Sequence, residues 1–410
     1  MKKFSITLVT IVGLSLMASA QRLEEYYEIA AANNPGLQAK YKNFEAAMQR
    51  VPQVGSLPDP NVTFGYFLSP VETRVGPQRA KLSLTQMFPW FGTLNAQEDA
   101  ATLMAKAMYH AFLDERNKLY YQVSAAYFPL YEVQKRIVIE QENLRILSSY
   151  KQLATVQYKN GNGALVDVLR VDIMLNDAIT ELSILNQRIK PLATRFNKIL
   201  NRNEDEFIEI SNALDTSDLA WVVRKDSLLE ANPLLQELDL KIQASKSQER
   251  AAIKQGLPKF GIGVDYVVVG ERTDMEVAGN GRDVLMPMAT MSLPIFRGKY
   301  RAAKEEALRM QESYAFQKVD VSNNLLTSYQ KTVFEIQQHL ELIQLYEEQI
   351  SLAQQSLDLL FSAFGNAGNE FEEILRMQQQ ILKYQKLKLT ATTSYLTALA
   401  ELDYITAKTK

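Results

Sequence analysis

The sequence predicts a mainly α chain with a small β part, built as two tandem copies of a unit made of long helical hairpins. Three observations carry this. Landmarks of the first half return in the second in the same order. Apolar residues recur every seven positions over stretches far longer than an ordinary helix. Four short segments alternate with period two instead.

The order begins with an export signal. Lys2 and Lys3 precede an apolar run from Ile6 to Met17, and Ala18-Ser19-Ala20 forms a small-residue cleavage site before Gln21. Residues 1–20 are therefore expected to be removed. Loss of Lys2 and Lys3 from the 45 basic residues leaves 43 against 47 acidic ones. That balance does not suit a nucleic-acid binder. The 410 residues contain no cysteine. This excludes a disulfide framework, a thiolate metal site, a cysteine nucleophile and a lipid-anchored N-terminal cysteine.

The repeat is read from three landmarks. Asn33-Asn34-Pro35-Gly36-Leu37-Gln38 returns as Ala231-Asn232-Pro233-Leu234-Leu235-Gln236. Phe88-Pro89-Trp90-Phe91-Gly92 returns as Leu293-Pro294-Ile295-Phe296-Arg297-Gly298, and Asp167-Val168-Leu169-Arg170 as Glu373-Ile374-Leu375-Arg376. Two repeats are expected, over residues 22–202 and 223–408, with a linker over 203–222.

Each repeat opens with a helix started by Asn-Pro. Asparagine caps well, and proline suits the first helical position. Two strands follow, Asn61–Leu68 and Arg79–Phe88 in the first repeat, Lys259–Val269 and Val284–Leu293 in the second. They define β-hairpins over 61–88 and 259–293, with loops at Ser69–Gln78 and Gly270–Asp283. Phe260, Ile262, Val264, Tyr266 and Val268 put one apolar face on the third strand.

Long helices come next, about Thr93–Asn160 and Arg301–Ala363. Val123, Leu130, Ile137 and Leu144 mark one heptad row, and Ile336, Ile343, Ile350 and Leu357 the other. A helix of ~65 residues spans ~100 Å at ~1.5 Å per residue. Glycine-bearing turns end both: Gly161 and Gly163 in a tip over 158–170, Gly365 and Gly368 in a tip over 361–376. Return helices follow. Val171, Leu175, Ala178, Leu182, Leu185, Ile189, Leu192, Phe196 and Ile199 keep a coiled-coil spacing, and the matching row of the second repeat breaks only at Lys388. Pro129 and Pro191 fall inside these helices and predict kinks or short breaks.

Strands of ~8–11 residues match a tilted membrane strand. Tyr66, Phe67, Phe88, Trp90, Phe260, Tyr266 and Phe296 suit interfacial girdles. Four strands cannot close a membrane barrel, and lipid does not tolerate open edges. A membrane-spanning reading thus requires a barrel shared between copies, eight strands from two or twelve from three. A soluble four-stranded sheet is the competing reading.

The whole order resembles the TolC-like outer-membrane efflux proteins. Its carriers are the Asn-Pro starts at 34–35 and 232–233, the strand-to-helix junctions with Pro89, Gly92, Pro294 and Gly298, and Tyr158-Lys159-Asn160-Gly161 leading into Leu165-Val166-Asp167-Val168-Leu169. The resemblance implies a homotrimer, a trimeric α-barrel topped by a shared twelve-stranded β-barrel with four strands per chain. It implies an outer-membrane exit duct with its tunnel in the periplasm, working with a periplasmic adaptor (membrane fusion) protein and an inner-membrane pump of RND or ABC type. Outer-membrane lipid would surround the barrel; no enzyme activity and no cofactor are implied. The tip turns with Gly161, Gly163, Leu165, Gly365 and Gly368 would dock the adaptor. Family members often ring the pore mouth with acids at the second tip. Those positions fall on Glu373, where the acid is kept, and Arg376, where it is not. Asp167 and Arg170 repeat the pairing, and three-residue spacing lets each acid pair with its arginine. Asp167, Arg170, Glu373 and Arg376 are the expected gate, with Asp167 and Glu373 as a polar constriction and Arg170 and Arg376 bridging neighbouring hairpins.

The remaining candidates read as packing. His110 and His339 stand apart in sequence, so no histidine metal site is expected. Met286 and Met288 share one strand face and Met291 takes the other. Glu372 and Glu373 point to different faces of one helix. The alternative function is a soluble periplasmic coiled-coil adaptor or scaffold, although adaptors carry one hairpin and more strands. An exported enzyme would need a nucleophile or metal site that the sequence does not show.

Overall fold

A computed structural model describes residues 21–211, 231–364 and 371–408. The export segment, most of the linker, and Gly365 and Gly368 of the second tip lie outside these residues. The order of elements is α1 (Gln21–Asn33), α2 (Pro35–Gly55), β1 (Asn61–Thr73), β2 (Gly76–Phe88), α3 (Thr93–Lys159) and α4 (Leu165–Ile199). It continues with α5 (Pro233–Gln255), β3 (Lys259–Val269), β4 (Val284–Ser292), α6 (Gly298–Phe364) and α7 (Phe371–Ile405). Long helices α3 and α6 have 67 residues each, and return helices α4 and α7 have 35 each. The chain divides into two compact units. One comprises Met1–Lys40, Phe112–Pro233 and Ser322–Lys410; the other comprises Tyr41–Ala111 and Leu234–Val321.

In the first unit, the periodic rows become the core. Val123, Leu130, Phe196 and Leu200 are buried with Tyr26, Tyr27, Leu37 and Tyr127. Tyr26 and Phe196 meet edge to face at 5.0 Å, a geometry that adds to area burial. The start of the linker is tied to this core. Ile208 is buried in it, and the backbone N–H groups of Glu209 and Ser211 donate to the hydroxyls of Tyr26 and Tyr127, each at 2.9 Å. A second cluster gathers Leu147, Tyr150, Val171, Leu357, Phe371, Ile374 and Ile381. Lys388, the break in the last periodic row, is matched by an ion pair to Glu347 at 2.6 Å.

Both return helices end the same way. Asn201 and Ala407 adopt left-handed backbone, φ 53° and 50°. Arg202 N–H then donates to Asn197 O, and Lys408 N–H to Asp403 O. This is the Schellman closure of a helix C-terminus, which pairs otherwise orphaned carbonyls.

In the second unit, most buried positions on α3, α5 and α6 are small, among them Ala96, Ala100, Ala244, Ser247, Ala251 and Ala307, with Leu235 and Leu238 the larger members at the start of α5. Small side chains let helix backbones approach. Polar links hold α5 on both sides, with Arg250 to Asp99 at 3.8 Å and Lys318 to Asp239 at 2.7 Å. The four strands form one antiparallel sheet in the order β1-β2-β3-β4.

Two expectations are corrected here. Ser69–Gln78 is not a loop. Strands β1 and β2 extend to a tight turn after Thr73, with a register shift between Tyr66 and Val71. Pro70 sits in that irregular stretch of an edge strand, where a missing N–H leaves no ladder partner unsatisfied. The short breaks expected at Pro129 and Pro191 are also absent; α3 and α4 run through both. Buried Val123, Phe128 and Leu130 hold the helix around Pro129, and tertiary packing of one face outweighs a single lost ladder bond.

Candidate functional site

Two regions carry the residues singled out above, and each lies within one unit. The first is the end of the α3–α4 hairpin with the start of α7. Gly161 takes φ +74°, a backbone region that side chains disfavour. Gly161 N–H donates to Tyr158 O and Asn162 N–H to Gln157 O, closing α3. Gly163 has ordinary φ, but a Cβ there would lie 3.0 Å from Gln157 Cβ. Both tip glycines thus have a local reason, one of dihedral and one of space. Helix α4 starts after Ala164 without a side-chain cap. Leu165, Val166 and Leu169 are about half exposed at its first turn.

Asp167 pairs with Arg170 at 3.3 Å, and Arg376 pairs with Glu373. Both expected pairs form. The structure adds one the spacing does not show: Arg170 also reaches Glu372 at 2.8 Å, joining α4 to α7. Glu372 and Glu373 therefore serve different partners on different helix faces. Below this layer Lys151 pairs with Asp172 at 2.5 Å across the hairpin. Tyr150 packs against Phe361 and Phe371. Burial pushes its hydroxyl pKa up to about 12. The polar end of the hairpin thus rests on an aromatic floor.

The second region is the sheet. Direct cross-strand partners share a face. Phe260, Ile262, Val264, Tyr266 and Val268 share theirs with Leu82, Leu84 and Phe88 on β2 and with Leu285, Pro287, Ala289 and Met291 on β4. Val62, Phe64 and Tyr66 of β1 continue it. The one polar member among these rows, Gln86, turns its amide to the carbonyls of Pro58 and Met87 at the rim. The opposite face carries Asn61, Thr63, Lys81, Ser83, Thr85, Asp265 and Thr290. Met286 and Met288 lie on this polar face and Met291 on the apolar one, as the alternation predicts.

One apolar and one polar face is the signature of a strand set between lipid and water. Phe64, Tyr66, Ile262 and Leu285 are each exposed by 60% or more, so the apolar face has no covering layer among the described residues. Lys81 and Asp265 form an ion pair on the polar face. Sequence reasoning missed this pair; its one signal is a lone carboxylate inside an alternating apolar strand.

The junctions differ. Gly92 takes φ +72° before α3, and Lys254 donates to Phe91 O at 3.5 Å beside it. Gly298 has ordinary φ, and a Cβ there would meet nothing within 4 Å. Pro89 and Pro294 lie between strand and helix. Trp90 packs on Phe260 with centroids 5.7 Å apart.

His110 and His339 lie on α3 and α6, each partly buried, and burial lowers the pKa of both. Among the described residues no three His, Asp or Glu side chains gather as a metal site would require. No described helix is long and apolar enough to cross a membrane.

The family model of the outer membrane efflux proteins matches residues 26–201 and 225–408. No curated protein sequence matches the chain. Among solved structures, the outer membrane protein VceC from Vibrio cholerae aligns at 17% identity over 94% of this chain and 96% of its own, with a TM-score of 0.74. CusC, described for conformational changes in folding and transmembrane channel formation, aligns at 13% identity over 94% and 92%, with a TM-score of 0.77. The Campylobacter jejuni CmeC outer membrane channel aligns at 12% identity over 94% and 85%, with a TM-score of 0.71. At such identities the likeness is one of fold.

Proposed function

The chain belongs to the outer membrane efflux protein family, and from that premise we propose that three copies close one twelve-stranded barrel whose helical part docks a periplasmic adaptor beneath an inner-membrane pump. The family places the protein in the outer membrane, as the exit duct of a tripartite efflux system. The observation that carries the trimer is the sheet. Its outward face is apolar throughout its middle, and its edge strands β1 and β4 have no outer partner among the described residues. Lipid accepts such strands only in a closed barrel. Twelve strands leave a lumen, and the face with Thr63, Lys81, Ser83 and Asp265 would line it. The soluble adaptor reading has no use for a bare apolar sheet face, and the fold matches channels.

The hairpin ends with Gly161, Gly163 and Leu165, and the second tip with Gly365 and Gly368, serve as the adaptor-docking turns in this reading. Asp167, Arg170, Glu373 and Arg376 form the polar gate. Arg170 is its centre, because it ties α4 to α7 through Glu372.

Membrane fractionation followed by native mass spectrometry in mild detergent tests the trimer. A trimer confined to the outer-membrane fraction is expected; a detergent-independent monomer or dimer in the periplasmic fraction would sink the reading. Planar-bilayer conductance tests the gate. Arg170→Ala and Glu373→Arg are expected to raise single-channel conductance, and unchanged conductance in both removes the gating role.

A further inference from the structure

We propose that the helix-side end of the sheet is a docking collar for anionic phospholipid headgroups of the periplasmic leaflet, a preference that rests on the barrel reading above. The register puts four chain segments at this one end. Strand β1 starts at Asn61, β2 ends at Phe88, β3 starts at Lys259 and β4 ends at Ser292. Residues 56–61, 88–93, 254–260 and 292–301 therefore form a single rim.

Two properties coincide there. Phe91 is 81% exposed and Phe296 87%, more than any aromatic within the strands themselves. Rings bared at the end of an apolar strand face belong at the level of the headgroups, where an amphipathic belt anchors a barrel. The same segments hold Lys254, Lys259, Arg297, Lys299 and Arg301, against the single carboxylate of Asp59. The chain as a whole has formal charge -2, so this rim is a local reversal. Among the described residues, Lys259, Arg297, Lys299 and Arg301 have no carboxylate partner, and all four are exposed. The far end of the sheet differs in its acids: Glu72, Glu271, Asp274, Glu276 and Asp283 stand among its arginines, and Arg272 is clamped by Asp274 and by the carbonyls of Thr73 and Arg74.

Unpaired cations beside bare aromatic rings fit a surface of lipid phosphates. Arginine offers a fork of donors to a phosphate, and lysine a point charge. Near an anionic leaflet each such charge is worth about fivefold in affinity. Phosphatidylglycerol, with net negative charge, should therefore bind in preference to zwitterionic phosphatidylethanolamine.

The test is a lipid competition on the full-length protein. Delipidated protein in mild detergent is mixed with equal phosphatidylglycerol and phosphatidylethanolamine, and bound lipids are counted by native mass spectrometry. The wild type is expected to favour phosphatidylglycerol by about tenfold or more at low ionic strength. The preference should vanish near 1 M salt, where the screening length is about 3 Å. Lys259→Gln/Arg297→Gln/Lys299→Gln should abolish it, while Lys259→Arg/Lys299→Arg should keep it. Equal binding of both lipids by the wild type overturns the proposal, as does a preference that survives the triple substitution. Conductance of the same preparations in pure phosphatidylethanolamine bilayers separates the two readings. Channels that conduct without any lipid preference remove the collar alone, whereas protein that never enters a bilayer removes the barrel and the collar together.

Discussion

The side-chain amide of Asn34 donates to the carbonyl oxygen of Ile199 at 2.9 Å, and that of Asn232 donates to Ile405 at the same distance. Each Asn-Pro start is thereby fastened to the end of the return helix of its own half. Asn34 does more than cap its own helix. Its Oδ1 accepts from Leu37 N–H at 3.1 Å while its Nδ2 satisfies a carbonyl that the neighbouring helix end would leave orphaned.

Asn34→Ala removes both bonds and is expected to destabilise the protein by about 1–3 kcal/mol, from loss of a cap and of a part-buried hydrogen bond. Asn34→Asp keeps the acceptor for Leu37 and loses the donor to Ile199, so it should recover part of that loss. Denaturant midpoints of the two variants in detergent would check the order; equal loss would show that only one of the two bonds matters.

The junction glycines should respond unequally. Gly92→Ala forces a side chain onto φ +72° and is expected to destabilise by ~1–2 kcal/mol. Gly298→Ala places a methyl in open space at ordinary φ and should change stability by less than ~0.5 kcal/mol, or stabilise the start of α6. Thermal unfolding of the pair would expose the difference.

Much of this contrast is hidden in the sequence. Phe91-Gly92 and Arg297-Gly298 read as equivalent, because a letter does not record which φ its residue adopts. What periodicity can show, it shows: the rows through Val171, Ala178 and Leu185, and through Ile381, Ala391 and Tyr395, are buried where the spacing places them. Pairs between distant segments stay invisible. Arg170 with Glu372, and Lys81 with Asp265, join residues far apart in the chain, and only folding brings them together. Ser69 and Pro70 mislead for a different reason. Turn-forming residues also populate bulges on edge strands, and local composition does not separate the two.

Lys81 and Asp265 should behave as a unit. Lys81→Met strands a carboxylate whose residue has no exposed surface, and is expected to lower the temperature at which the protein loses its folded mobility in gel electrophoresis. Lys81→Met/Asp265→Leu should recover most of that loss. A double variant as unstable as the sum of the two single changes would show the residues to be uncoupled.

Stability should fall on mild acidification. Burial lowers the pKa of His110 and His339 from an ordinary value of 6.5. A lowered folded pKa means the unfolded chain takes up its proton first, so the contribution is intact above 6.5 and is lost as pH falls through the folded value. Unfolding midpoints between about pH 7.5 and 5 should decline, and His110→Gln/His339→Gln should flatten the decline. An identical slope in the double variant would assign the acid sensitivity to other groups.

The pairing of β2 with β3 has a consequence for biogenesis. Phe88 and Phe260 face each other across that seam, yet the whole α3–α4 hairpin is threaded between them in the chain. Closing a loop of that size costs roughly 4–5 kcal/mol of chain entropy before any seam contact offsets it. Export delivers the first β-hairpin long before its partner emerges. Until then Phe64, Leu82 and Leu84 face water on a two-stranded ribbon, which is marginal by itself. Covering this ribbon therefore waits until the second repeat has been exported and β3 can pair with β2.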